Sequence, residues 1–291
     1  MTLLPVLIGR TLRATATVAP GLAGRLAFRL CRHPGPRAKV RTSERDVHER
    51  ATTTTVLALG HRIAVHRWGT TARRVLMLHG WGLRGSRFAA LVPELLARGL
   101  SPVTFDAPGH GQSSGWTTSV PEYAAIAARL HQRYGPFEAV IGHSFGALTA
   151  FEVLRQSAGI GRLVTIGSPC ELGYLPGSFA RRLGVGERTE AELRRRFEQY
   201  LLPETDIWNR WSASHRSSDL DVPMLVLHDH DDAVVDPGQA RLIAAAYGPR
   251  ADVLMTSGLG HHRILSSPSV VRRMADFVTR APTGFDRDAV T

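Results

Sequence analysis

Residues Phe137-Glu138-Ala139-Val140-Ile141-Gly142-His143-Ser144-Phe145-Gly146 lead from a short apolar run into Ala147–Leu154, whose apolar residues recur at helical spacing. The junction has the pattern G-x-S-x-G. The pentapeptide alone is a weak signal, but its place between a strand and a helix is informative. A sharp turn there lifts a serine side chain clear of a sheet, and flanking glycines let strand and helix approach. A serine hydroxyl is a poor nucleophile by itself, so Ser144 needs a histidine to take its proton and an acid to orient that histidine.

Outward from this junction, strands and helices alternate. Thr52–Leu59 and Arg62–Trp68 alternate in polarity about Gly60-His61 and predict a β-hairpin. Arg74–Leu78, Pro102–Phe105, Phe137–Ile141, Leu163–Ile166, Met224–Leu227 and Val253–Met255 read as further strands. Phe88–Ala97, Val120–Tyr134, Ala147–Leu154, Gly238–Ala246 and Ser269–Thr279 read as helices. This order predicts an α/β protein with a mostly parallel sheet, an antiparallel hairpin at its start and helices on both faces.

Glu171–Val222 breaks the rhythm. It has no strand-like run, carries Tyr174, Phe179, Phe197, Tyr200, Trp208 and Trp211, and balances eight arginines against nine acids. Thr189–Tyr200 reads as a charged helix opened by a capping residue. Residues 171–222 are therefore expected to form an inserted, largely helical lid, because structureless loops of that length are uncommon in compact domains. Trp208 and Trp211 fit either the lid core or a substrate wall.

Both partners for Ser144 are offered at later strand ends. Met224–Leu227 is followed by His228-Asp229-His230-Asp231-Asp232-Ala233-Val234-Val235-Asp236, and Val253–Met255 by Gly258-Leu259-Gly260-His261-His262. The order Ser, Asp, His resembles the α/β-hydrolase superfamily over residues 50–280, in its serine-nucleophile, carboxylesterase-like branch. The resemblance implies the α/β-hydrolase fold, with an eight-stranded sheet and a short helical lid after the sixth strand. It aligns the acid to Asp232, although Asp229 and Asp236 replace the usual glycine and proline, and Asp231 remains a rival. The base aligns to His261, with His262 adjacent. His79-Gly80-Trp81-Gly82 resembles the oxyanion loop, so Trp81 and Phe145 are implied as backbone donors to a developing oxyanion. Asp106-Ala107-Pro108-Gly109-His110-Gly111-Gln112-Ser113 resembles a structural loop of the family, and His79 and His143 read as orienting or packing residues.

The resemblance implies hydrolysis of a carboxylic ester or thioester through an acyl-serine intermediate. Carbon–carbon or amide-bond hydrolysis on the same machinery is the alternative, and a non-catalytic ligand-binding protein is the alternative of another class. Serine rather than aspartate at the nucleophile position disfavours epoxide hydrolase and dehalogenase chemistry. The partner expected is a small-molecule ester or thioester.

The composition narrows the remaining classes. With 43% apolar and 21% charged residues, disorder, collagen and coiled coil are excluded. Cys31 and Cys170 cannot make a disulfide framework and fit a reducing, cytoplasmic setting. No cofactor is expected, since Gly109–Gly115 lacks the lysine of a phosphate-binding loop and no dinucleotide pattern opens a helix. No metal is expected, because neighbouring residues of His228–Asp232 on a strand point to opposite faces.

The net charge of +11 lies mostly at one end. Residues 1–43 hold seven arginines and Lys39 with no acid, contributing +8 and leaving +3 for the rest. No nucleic-acid motif accompanies the charge, so nucleic-acid binding is not expected. The apolar opening Thr2–Gly9 is too short to span a membrane and is followed rather than preceded by arginines, unlike a secretory signal. Leu22, Leu26 and Leu30 face one way on a helix over 20–32 while Arg25, Arg29 and Arg32 face another. That basic amphipathic helix suits peripheral contact with an anionic membrane through residues 1–43, or packing of the leucines on the body, and the amount of apolar surface favours packing. Pro34-Gly35-Pro36 marks a linker. Three parts are expected: an extension over 1–43, a core over 44–170 and 223–291, and the lid over 171–222.

Overall fold

The structure, a computed structural model, describes residues 3–280, with side chains from Leu7 onward. Thr2 of the opening apolar run and residues 281–291 of the expected core lie outside the described residues. The strands are β1 (Thr52–Ala58), β2 (His61–Arg67), β3 (Arg74–Leu78), β4 (Ser101–Phe105), β5 (Phe137–His143), β6 (Leu163–Ile166), β7 (Met224–Asp229) and β8 (Ala251–Thr256). They form one sheet in the order β1-β2-β4-β3-β5-β6-β7-β8. β1 and β2 pair antiparallel, as do β2 and β4, and every later pairing is parallel.

The helices are α1 (Leu3–Val18), α2 (Pro20–Arg32), α3 (Thr42–Glu49), α4 (Val92–Ala97), α5 (Val120–Tyr134), α6 (Phe145–Gln156), α7 (Tyr174–Leu183), α8 (Glu187–Tyr200), α9 (Ile207–Arg210), α10 (Gly238–Tyr247), α11 (Gly260–Arg263) and α12 (Pro268–Thr279). Alternation along the central strands sorts the core into two layers. Leu76, Leu78, Val140 and Val226 face α5, α6 and α10, whereas Val75, Met77, Ile141 and Leu225 face α4 and α12. Strands buried on both faces explain why the sequence reads there as continuous apolar runs rather than as alternation.

Local chemistry sets several boundaries differently from the sequence expectation. The hairpin turns on Leu59 and Gly60, both with positive φ (49° and 79°), not on Gly60-His61, because a two-residue turn matching strand twist needs that backbone at both positions. The helix expected over Phe88–Ala97 is split into a 3₁₀ turn at Gly85–Phe88 and α4, whose second residue is Pro93. A proline in the first turn is tolerated there but could not sit inside a longer helix. The charged helix expected from Thr189 begins at Glu187 behind Gly186, and Thr189 is buried rather than capping. α1 and α3 lie outside the helices that the sequence spacing predicts.

The largest correction concerns the amino-terminal helices. α1 and α2 pack on α7 and α8, but not through the leucines of α2. The buried residues of α2 are Ala23, Gly24 and Ala27, while Leu22, Leu26 and Leu30 stay exposed. A methyl group added at Gly24 would lie 1.9 Å from Glu192 Cγ, and one added at Gly9 of α1 would lie 1.9 Å from the Leu183 carbonyl oxygen. Small residues let the helix backbones approach closely, and Leu12, Leu183 and Leu193 fill the seam. The linker beyond α2 lies against the body: Arg37 donates to the carbonyls of Gly111, Ser113 and Gly115, and Thr117 Oγ1 donates to the Arg32 carbonyl at 2.6 Å.

Candidate active site

The junction between β5 and α6 places Ser144 at φ 54°, ψ −120°, a conformation costing on the order of 1–3 kcal/mol for a residue with a side chain. The turn is fixed by tight backbone packing. A methyl group at Gly142 would lie 2.5 Å from Ala147 Cα, and one at Gly146 would lie 2.3 Å from the Leu78 carbonyl oxygen. Glycine is required at both positions, as the G-x-S-x-G spacing anticipates.

His261 lies in the first turn of the short helix α11, and Asp232 lies in the loop after β7. His261 Nδ1 is 2.7 Å from Asp232 Oδ2. The other carboxylate oxygen, Oδ1, accepts the N–H groups of Val234 (2.8 Å) and Val235 (2.9 Å). Buried His228 adds a contact from Nε2 to Asp232 Oδ2 at 3.4 Å. Burial alone would raise the Asp232 carboxyl, but the side-chain bonds from His228 and His261 and the Val235 N–H outweigh it and hold it well below the usual carboxylate range. Asp231 is directed elsewhere: its Oδ2 accepts the Gly258 N–H at 2.7 Å. His262 is exposed and makes no bond to either acid among the described residues.

Ser144, His261, Trp81 and Phe145 line one cavity of about 780 Å³. The Ser144 hydroxyl makes no hydrogen bond among the described residues. The backbone N–H groups of Trp81 and Phe145 are likewise unspent among the described residues. The Trp81 and Phe145 rings meet edge to face at 5.1 Å. The opposite wall comes from Leu175, Phe179, Phe197 and Tyr200 of the segment between β6 and β7, and from Leu30–Gly35. Trp208 and Trp211 do not line this cavity; Trp208 Nε1 donates to Glu198 Oε1 at 2.7 Å. Cys31 is on the wall, but burial pushes its thiol up to about 12, which removes it as a nucleophile near neutrality.

Neutral histidines hold the loops around the serine. His79 accepts the Ala107 N–H at Nε2 (3.0 Å) while its Nδ1 faces the Gly80 carbonyl at 2.9 Å, and His110 accepts the Gly82 N–H (3.1 Å). Each ring therefore clamps the Trp81 loop. Burial lowers the His79 ring and, with nearby His79, pushes His110 down to about 3. His143 Nε2 lies 2.9 Å from the His261 carbonyl, and burial, with His261 beside it, keeps that ring neutral well below its ordinary range. His143, His261 and His262 bring ligand atoms within 4.8 Å of one another. The run His228–Asp232 forms no such group among the described residues. His228 of that run instead supports Asp232.

Some of this support was not read from the sequence. Asp229 accepts the N–H groups of Leu259 (3.1 Å) and Gly260 (2.9 Å) and the Thr256 hydroxyl (2.6 Å), fixing the loop that presents His261. Its only sequence signal was an acid where the family pattern has glycine. His110 lies in the loop that the resemblance marks as structural, and the place of residues 30–35 on the cavity wall has no sequence signal.

A model of the Alpha/beta hydrolase family matches residues 75–274, more than half of the chain. The chain belongs to the alpha/beta hydrolase family. This hydrolase is 26% identical over 237 residues to a pimeloyl-(acyl-carrier protein) methyl ester esterase of Sodalis glossinidius, covering 69% of this chain and 91% of that protein. It is 27% identical over 248 residues to a non-heme haloperoxidase of Rhodococcus erythropolis, covering 69% and 90%. Among solved structures it resembles a Pyrococcus furiosus esterase (TM-score 0.65, 17% identity, 84% of this chain and 98% of that one). It also resembles a thioesterase domain from the curacin biosynthetic pathway (TM-score 0.58, 17% identity, 79% and 99%). Those two likenesses bear on the fold of the hydrolase alone. No helix among the described residues is long and apolar enough to cross a membrane.

Proposed function

We propose that this hydrolase cleaves a carboxylic ester or thioester through an acyl-serine intermediate, with Ser144 as nucleophile, His261 as base and Asp232 as the acid that orients it. The observation that carries the reading is the 2.7 Å contact of His261 Nδ1 with Asp232 Oδ2 beside a cavity that His261 shares with the strained Ser144. With Nδ1 engaged by the acid, Nε2 is left to accept the serine proton as Oγ attacks the carbonyl carbon. The oxyanion that forms takes the unspent N–H groups of Trp81 and Phe145. Collapse expels the alcohol or thiol, which takes the proton from His261. Water, deprotonated by the same imidazole, then releases the acid and restores Ser144. His79, His110 and His143 act as positioning residues.

The name of the pimeloyl-(acyl-carrier protein) methyl ester esterase relative supports an ester-type substrate. The test is labelling with a fluorophosphonate probe, followed by a screen of p-nitrophenyl esters, thioesters and anilides of increasing acyl length. Labelling at Ser144 with ester turnover is expected. An intact, unlabelled protein would point to a non-catalytic binding role, and turnover of the anilides alone would move the reaction to amide bonds.

A further inference from the structure

The apolar row that the sequence marks on α2 is not spent on packing. Leu22, Leu26 and Leu30 remain 46%, 38% and 41% exposed, because α2 seats on α8 through Ala23, Gly24 and Ala27 on its other side. Arg25 and Arg29 lie along the edge of this row, one turn apart and exposed. Several basic residues before Glu44 are occupied. Arg13 donates to the Gly184 carbonyl, the Arg32 guanidinium lies 3.6 Å from the Tyr200 ring centroid, Arg37 binds the loop carbonyls described above, and Arg41 pairs with Glu44. Arg10, Arg25 and Arg29 make no hydrogen bond or ion pair among the described residues. The last leucine of the row, Leu30, also lines the cavity that holds Ser144.

We propose that this face of α2 docks on an anionic lipid bilayer, and that it feeds an acyl ester held in that bilayer along the leucine row into the cavity over Ser144. Only the second half rests on the hydrolytic reading given above. A helix with a leucine row beside uncommitted arginines satisfies both when it lies in a membrane interface, with leucines among acyl chains and guanidinium groups at anionic headgroups. Charge argues against a second copy of the chain as occupant, since two such faces would set Arg25 and Arg29 against their own kind. The small-residue seam with α8 explains how α2 can be anchored to the body while its leucines stay outward. Continuity through Leu30 makes the docked face an entrance, which gives the substrate a class: an ester amphiphilic enough to reside in lipid.

The test uses the full chain with sucrose-loaded vesicles of phosphatidylcholine alone or mixed with phosphatidylglycerol, at low and high salt. Sedimentation with the phosphatidylglycerol vesicles, lost in high salt and absent with phosphatidylcholine alone, is expected. Arg25→Glu with Arg29→Glu should weaken that binding by at least about 25-fold, taking roughly fivefold for each arginine lost. Leu22→Ser with Leu26→Ser should weaken it while leaving the melting temperature and the hydrolysis of p-nitrophenyl acetate unchanged. Ser144→Ala should bind vesicles like the parent chain, so docking is read independently of catalysis. Long-chain p-nitrophenyl esters embedded in the anionic vesicles should be turned over more slowly by both double variants. Absence of binding, equal binding to both vesicle types, or binding unchanged in the variants would overturn the proposal. So would self-association that Leu22→Ser with Leu26→Ser abolishes, since the face would then belong to a second copy.

Discussion

His261 Nδ1 stands 2.7 Å from Asp232 Oδ2, whereas Asp231, one residue earlier, gives its carboxylate to the Gly258 N–H. Two adjacent acids thus have separate tasks. Asp232→Asn should lower kcat by about 10⁴-fold by favouring the wrong imidazole tautomer. Asp231→Asn should cost less than about tenfold, since only a loop tether is weakened. Steady-state kinetics on one p-nitrophenyl ester checks the ranking, and the reverse order would move the acid role to Asp231.

Ser144→Ala should abolish fluorophosphonate labelling and reduce ester hydrolysis by about 10⁴-fold or more, because the groups of such a site act as a unit. Its circular dichroism spectrum should match the parent, since Ser144 Oγ makes no hydrogen bond among the described residues. Turnover at the parent rate would end the assignment of Ser144.

Acid should destabilise this protein in a region where most surface carboxylates are still ionised. His110 is pushed down to about 3 in the fold, whereas an unperturbed histidine titrates near about 6.5. Above that range both states hold the ring neutral and its contribution does not depend on pH. Between about 6.5 and about 3 the unfolded chain takes up a proton that the folded chain refuses, so stability falls by up to about 1.4 kcal/mol per pH unit for this ring. His79 and His143, lowered chiefly by the same burial, act with the same sign. Asp106 and Asp232, held low, supply stability above the ordinary carboxylate range that is lost as pH falls below it. Denaturant unfolding of His110→Gln between pH 7 and 4 should show a shallower decline than the parent. Parallel declines would mean that His110 is not held neutral by the fold.

The seam between the amino-terminal helices and α7–α8 predicts which small residues matter. Gly9→Ala should cost about 1–3 kcal/mol, because the new methyl group meets the Leu183 carbonyl, a backbone atom that cannot swing aside. Leu22→Ser, on the exposed face, should change stability by less than about 0.5 kcal/mol. Thermal melts of the two variants test this, and a larger loss for Leu22→Ser would restore the leucines to the interface.

The sequence by itself determined the sheet and the candidates for chemistry at the carboxyl ends of its strands. Apolar runs such as Val75–Leu78 and Leu225–Leu227 are legible because a strand buried on both faces admits little else. Gly142 and Gly146 are legible because a strand-to-helix turn this tight leaves no room for Cβ. The strand-to-helix spacing singles out Ser144, and the resemblance to the α/β-hydrolase pattern points to Asp232 and His261 as the leading candidates for acid and base, since each follows its own strand. What joins them could not, because residues distant in sequence meet only once strand order is fixed. The choice of Asp232 over Asp231 depends on which carboxylate the loop after β7 turns toward His261. The buried face of α2 depends on how closely a neighbouring backbone comes, not on hydrophobicity, so Gly24 and Ala27 displaced the leucines that periodicity favoured. That Leu30–Gly35 wall the same cavity as Ser144, over 100 residues away, follows from the docking of α1 and α2 on α7 and α8, a contact that only the tertiary structure supplies.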